Sequence, residues 1–233
     1  MSSRTAIVTG SSSGIGRAIA GHLLGEGWQV HGLDVAPPTL AHAAMHAQVV
    51  DLADGAATDA AVGSVLAQGA PAALVHAAGV LRVAPLGSLV PADGRQMWQL
   101  HVDAASRLAN RIVPAMQAAR EGRVVLIGSR VSAGMPGRSQ YAACKAALVA
   151  LARSWAAEVV ATGVTVNVVS PAATATAMLD DPSRAGTAPR VPPLGRYIRP
   201  DEIATLVAYL LSPHAAAITG QDIAVCGGAS LHH

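Results

Sequence analysis

Seven short β-branched runs recur along the chain, at residues 5–9, 29–33, 47–50, 73–76, 123–128, 164–169 and 222–226, separated by Ala/Leu-rich stretches of helical character. Strands that alternate with helices form a parallel sheet, because each crossover helix must lie on one of its faces. The expected fold is therefore α/β: a single doubly wound domain with a seven-stranded parallel sheet and helices on both faces. At 233 residues the chain fits one such domain and leaves little for a second. Right-handed crossovers place ligands at the carboxyl ends of the strands, beside the point where the strand order reverses. Functional residues are expected there. The segment at about 177–197, rich in Pro, Gly, Ala and Arg, reads as a substrate loop within the domain spanning 1–233.

Composition narrows the function classes. Hydrophobic residues make up 52% of the chain, yet aromatics only 3% and Phe is absent, so the core is built from Ala, Val, Leu and Ile and disorder is excluded. The two long uncharged stretches, 60–81 and 159–179, are interrupted by Gly, Gln, His, Asn and Pro, which disqualifies them as membrane spans of about 20 apolar residues. A net charge of +2 with scattered Lys and Arg offers no basic stripe for nucleic acid. Cys144 and Cys226 stand apart and form no metal-type pair, which suits a reducing cytoplasm. The four residues before the first run are too short for a signal peptide.

Directly after the first run stands Thr9-Gly10-Ser11-Ser12-Ser13-Gly14-Ile15-Gly16, followed by a helical stretch from Arg17. Glycines also mark ordinary loops. Between a strand and a helix, however, Gly10, Ser12, Ser13, Gly14, Ile15 and Gly16 can bring the backbone close to a pyrophosphate resting on the helix N-terminus, as in a Rossmann fold. Asp34 closes the second run eighteen residues after Gly16, near the spacing at which a carboxylate takes both ribose hydroxyls. The same charge repels a 2′-phosphate, and no Lys or Arg lies at positions 11–13, so the cofactor is expected to be NAD. A turn-forming Asp before Val35-Ala-Pro-Pro38 is the plainer alternative. Asp51 after the third run can accept from the adenine amino group, or can cap the helix that follows.

At the other end, Tyr141 and Lys145 have i,i+4 spacing and so share a helix face. A phenol with a pKa of about 10 needs help to act at neutral pH, and a nearby ammonium favours the phenolate. Tyr and Lys at that spacing are also common as a packed ring beside a solvated amine. Ser129 favours the catalytic reading, since it ends the fifth run and projects toward the same cleft, where a hydroxyl can hold a substrate oxygen.

These residues together resemble the short-chain dehydrogenase/reductases. The ordered motifs are Thr9-Gly10-xxx-Gly14-Ile15-Gly16, Ala77-Ala78-Gly79, Ser129, Tyr141-xxx-Lys145, Asn167 with Ser170-Pro171, Thr176-Ala-Met178 and residues 218–228. The resemblance implies that Ser129 orients the substrate, Tyr141 is the acid/base, and Lys145 binds the nicotinamide ribose and tunes Tyr141. It also implies that Thr176 and the Thr174 backbone hold the carboxamide, and that Leu52, Ala77, Ala78, Gly79 and Pro171 contact the cofactor. A homotetramer is implied too, with the helices around 98–116 and 140–160 at subunit faces.

The chain departs from the family pattern at three places. Asn-Asn-Ala-Gly reads His76-Ala77-Ala78-Gly79, Pro-Gly reads Pro171-Ala172, and the catalytic Asn aligns with His101. Imidazole can donate and accept, so either the proton relay survives or His101 titrates and alters the pH profile. Alternatively Asp103 takes the role, or the position is structural.

Within the family the chain is most similar to 2,3-dihydro-2,3-dihydroxybenzoate dehydrogenases, through the short stretch between Asp34 and Asp51 and the motifs at 78–82, 168–176 and 222–231. Arg82 and Arg138 then become candidates for a substrate carboxylate, against the plainer reading of solvated arginines. The expected activity is NAD-dependent hydride transfer at a secondary alcohol or ketone of a small polar substrate, such as a carboxylated cyclic diol. A sugar or sugar-acid dehydrogenase, a 3-oxoacyl reductase and a non-catalytic NAD-binding regulatory module stand as alternatives. Asp34 weighs against the 3-oxoacyl reductase, and the intact Ser129, Tyr141 and Lys145 against the regulatory module.

Overall fold

The computed structural model describes residues 4–180 and 190–231. Seven parallel strands, β1 (Thr5–Thr9), β2 (Gln29–Asp34), β3 (Met45–Val49), β4 (Ala73–His76), β5 (Gly122–Ile127), β6 (Val164–Pro171) and β7 (Asp222–Val225), form one sheet. Their order is β3-β2-β1-β4-β5-β6-β7, so it reverses between β1 and β4. Each run expected from the sequence is a strand. β3, an edge strand whose residues are all partly or fully exposed, starts two residues before the expected run, at Met45.

The central strands bury both faces, as their unbroken Val, Ile, Leu and Ala content requires. Ile7, Leu33, Leu74, Val124, Leu126 and Val166 pack on one side, beneath α2 (Gly55–Leu66), α4 (Ala104–Ala119) and α5 (Ser139–Val159). Ala6, Val8, Val30, Val75, Val125 and Val169 face the other, beneath α1 (Gly14–Gly25) and α6 (Pro200–Leu211). Alternate residues of a strand thus feed two cores. Between β4 and α4, helix α3 (Pro91–Trp98) runs through a π-turn, Gln99–Asp103, directly into α4. Such turns often mark functional sites. No helix among the described residues is long and apolar enough to cross a membrane.

Candidate active site

The crevice between β1 and β4 opens where the strand order reverses. Gly10 adopts φ 67° and donates to the Leu33 carbonyl at 2.9 Å; a Cβ there would stand 2.9 Å from the Ala78 nitrogen, so only glycine fits. A Cβ on Gly16 would run into the Gly10 carbonyl, which lets α1 lie directly against the turn. Ser13, the N-cap of α1, makes no side-chain cap bond, and the first turn of the helix carries no acidic side chain. The amides of Gly14, Ile15 and Gly16 thus form an electropositive cradle suited to a pyrophosphate.

Asp34 is fixed at the rim of this cradle. One carboxylate oxygen accepts the Ser12 amide at 2.9 Å and the other the Ala36 amide at 2.8 Å. Each oxygen keeps a lone pair, as recognition of two ribose hydroxyls requires. A second tie was invisible in the sequence: Arg17 Nε donates to Thr39 Oγ1 (3.1 Å), which donates to the Ser12 carbonyl (2.7 Å). It closes the Pro-rich segment after β2 over the turn. Asp51 is exposed, and its Oδ1 accepts the Ala53 amide at 2.9 Å. The cap of α2 is Asp54, through the Ala57 amide at 3.0 Å, which corrects the capping alternative for Asp51. The Leu52 side chain is buried in the core and leaves only its backbone to meet a ligand.

Beyond β6, Thr174 is fixed by its hydroxyl on the Ala172 carbonyl (2.9 Å) and by backbone pairing of 173–175 with Ile198. Pro171 ends the strand, and Thr176 reaches over the turn so that a Cβ on Gly14 would touch its methyl at 3.3 Å. Residues 181–189 of the expected substrate loop lie outside the described residues. Its far end is held where the Leu194 amide donates to the Gly227 carbonyl at 3.0 Å.

The catalytic candidates come from three different elements. Ser129 follows β5 in extended backbone, and its hydroxyl accepts the Val131 amide only at 3.4 Å, which leaves its proton free to donate elsewhere. Tyr141 lies in the first turn of α5, 8% exposed. Lys145, one turn on, is buried with Nζ on the Ile127 carbonyl (2.8 Å) and 5.6 Å from the Tyr141 ring centroid. Burial pushes the Lys145 ammonium down to about 7.

His101, on the π-turn, meets Tyr141 edge-on with ring centroids 5.5 Å apart. Its Nε2 lies 2.8 Å from the Val80 carbonyl, the shorter of its two contacts with that residue, which assigns the proton to Nε2 and leaves Nδ1 a bare acceptor. Nδ1 is buried and has no partner among the described residues. Gly79 makes room for the ring, because a Cβ there would collide with it. Burial, then Lys145, hold the His101 imidazole well below its ordinary value. Its charged form is thereby disfavoured, which weighs toward the relay alternative and against a titration near pH 7. Asp103 is exposed beside Ser106 and Arg107, which disfavours the displaced-Asp alternative.

Ala77 and Ala78 line the crevice, and their amides both donate to Thr9 Oγ1 at 3.0 Å. Arg82 is half-buried, one of its guanidinium nitrogens on the Leu81 carbonyl at 3.2 Å; Arg138 immediately precedes α5. Their loops are joined by the Ala84 amide on the Gly137 carbonyl (3.0 Å).

Buried neutral imidazoles carry a stability cost that acid exposes. The folded chain holds His76 at about 4, mainly by desolvation, against 6.5 when unfolded. Between those values the unfolded state binds a proton that the folded state refuses, so stability falls as pH drops from about 6.5 to about 4. The His76 share is about 3 kcal/mol. Lys145 has the same sign in a higher window: its lowered value means that stability rises with pH from about 7 toward 10.5 in the ligand-free protein. A thermal-melt series should show Tm falling below pH 6.5, less steeply in His76→Asn. Equal slopes in the two proteins would remove His76 as a cause.

Residues 10–230 match the family described as enoyl-(acyl carrier protein) reductase. The 3-oxoacyl-(acyl-carrier-protein) reductase of Escherichia coli is 36% identical over 236 residues, covering 97% of this chain and 96% of that protein. The chain belongs to the short-chain dehydrogenase/reductase family. The Haemophilus influenzae 3-oxoacyl-(acyl-carrier-protein) reductase is also 36% identical, over 98% of both chains. Among solved structures, the ligand-free aldohexose dehydrogenase of Thermoplasma acidophilum superposes with a TM-score of 0.91 at 26% identity, covering 99% of this chain and 95% of that one. As a short-chain dehydrogenase/reductase the protein is an oxidoreductase that works with a nicotinamide cofactor.

Proposed function

We propose that this chain moves hydride between NAD and a secondary alcohol or ketone on a small polar substrate. The observation that carries the choice of NAD is Asp34, held by two backbone amides at the rim of the cradle. The cradle fits the cofactor: α1 begins uncapped, and Cβ atoms on Gly10 and Gly16 would fill the approach. The bound cofactor supplies the site that accepts or returns hydride. Ser129 donates its hydroxyl proton to the substrate oxygen, and Tyr141 takes the alcohol proton in oxidation or returns it in reduction. Lys145, its Nζ 5.6 Å from the Tyr141 ring centroid, stabilises the phenolate and donates to the nicotinamide ribose. His101 Nδ1 offers the relay an acceptor on the protein side. Thr174 and Thr176 hold the carboxamide end.

For the substrate, a carboxylated cyclic diol such as 2,3-dihydro-2,3-dihydroxybenzoate suits Arg82 and Arg138, whose loops meet at Ala84 and Gly137. Reduction of a 3-oxoacyl thioester is the second reading, favoured by the 36% identical relatives and opposed by Asp34. A homotetramer in the cytoplasm completes the proposal. The test is a screen of cyclic diol acids, sugars, sugar acids and 3-oxoacyl thioesters with both nicotinamide cofactors, on protein whose light-scattering mass is compared with four protomers of 23.4 kDa. Turnover of thioesters alone with NADPH would overturn both the substrate and the cofactor proposed.

A further inference from the structure

Two buried histidines, His76 and His101, are bound to each other's segments. Thr9 Oγ1 accepts the amides of Ala77 and Ala78, each at 3.0 Å, which occupies its lone pairs. Its own proton therefore goes to His76 Nδ1, 3.0 Å away. That assigns the His76 proton to Nε2, which donates to the Leu100 carbonyl at 3.1 Å in the π-turn. His76 is 1% exposed and so has no recourse to solvent. In return His101, the next residue of the π-turn, donates from Nε2 to the Val80 carbonyl at 2.8 Å. The segment 76–80 and the π-turn are thus tied twice, once from each imidazole.

We propose that His76 is a positioning residue that couples the cofactor cradle to the π-turn presenting His101 to Tyr141. The proposal rests on the reading of Tyr141 and His101 as parts of the active site. One ring spans two partners on opposite sides: Thr9, which ends the strand leading into the Gly-rich turn, and Leu100, which precedes His101. The shorter asparagine can meet the Thr9 proton with its amide oxygen but falls short of Leu100. The π-turn packs the His101 ring against Gly79, where a Cβ would collide with it, so a brace from His76 to Leu100 acts on a tightly fitted segment.

Two variants separate the two arms of the strut. His76→Asn keeps an acceptor for Thr9 and loses the reach to Leu100; His76→Gln keeps a donor at roughly the Nε2 position and loses the acceptor. In His76→Asn, amide exchange should accelerate across 99–104 while 8–16 stays protected. NAD affinity measured by titration should hold, and kcat should fall about tenfold, the size of one net hydrogen bond. In His76→Gln the pattern should reverse: 8–16 exchanges faster and NAD binds more weakly, with kcat at saturating cofactor returned toward the parent value. Equal effects of the two variants on both segments, or unchanged kcat and unchanged exchange at 99–104 in His76→Asn, would overturn the proposal. Exchange and NAD titration need no substrate. If Tyr141→Phe retained full turnover the active-site reading would fail, while the exchange pattern would still decide the role of His76.

Discussion

Tyr141→Phe is expected to lower kcat by about a thousandfold while NAD binding changes only a few-fold, because general acid/base transfer contributes about 10²–10⁴ to rate. The substitution removes one oxygen and leaves the ring. That ring keeps its edge contact with His101 and its place over Lys145, so the π-turn and α5 stay in register. The oxygen removed is the one proposed to carry the proton, and an interaction needed only in the transition state lowers kcat and kcat/KM together. Lys145 should be less separable: it is buried on the Ile127 carbonyl and proposed for the ribose, so Lys145→Ala should weaken cofactor binding as well as turnover. Steady-state kinetics with cofactor titration on the two variants tests the division of labour. A Tyr141→Phe enzyme within tenfold of the parent rate would reassign the acid/base.

What was legible in the sequence follows from how local each signal is. The five inner strands could be read closely because a parallel strand covered on both faces is apolar at most positions, as residues 164–169 are apart from Thr165 and Asn167. Even those two are used: Asn167 holds the Ile218 carbonyl at 2.7 Å and the Gln221 amide at 3.1 Å, which anchors the turn into β7. The Gly-rich turn was legible because its glycines answer backbone demands that other residues cannot meet. The π-turn was not, since its five residues carry the same alternation as the helices on either side. Nor was the lowered pKa of His101, which depends on depth of burial and on Lys145 from a distant helix. The clasp of Arg17 on Thr39 and the strut of His76 depend on which atom faces which, across 22 and 24 residues of chain respectively. No local pattern encodes that.

Cofactor choice is expected to turn on Asp34, with the parent enzyme preferring NAD over NADP by at least a hundredfold in kcat/KM. A carboxylate and a 2′-phosphate about 4 Å apart repel by about 4 kcal/mol per pair of charges at an effective dielectric near 20. Asp34 is half-buried, so solvent screening reduces this. Even two-thirds of it is enough, since each 1.4 kcal/mol is a factor of ten. Asp34 also fastens the turn through the Ser12 and Ala36 amides, so removing it has two consequences that different substitutions separate. Asp34→Asn discards the charge and keeps one acceptor for an amide; it should raise NADP efficiency while NAD efficiency falls modestly. Asp34→Ala discards both, so NAD efficiency should fall further as Ser12 and the turn lose their anchor. In both variants the preference should narrow to within about tenfold, because the repulsion that sets it is gone. If the parent enzyme uses the two cofactors equally, or if Asp34→Asn leaves the ratio where it was, then Asp34 serves only to fasten the turn, and NADP selection must be sought elsewhere on the rim, starting with Arg17.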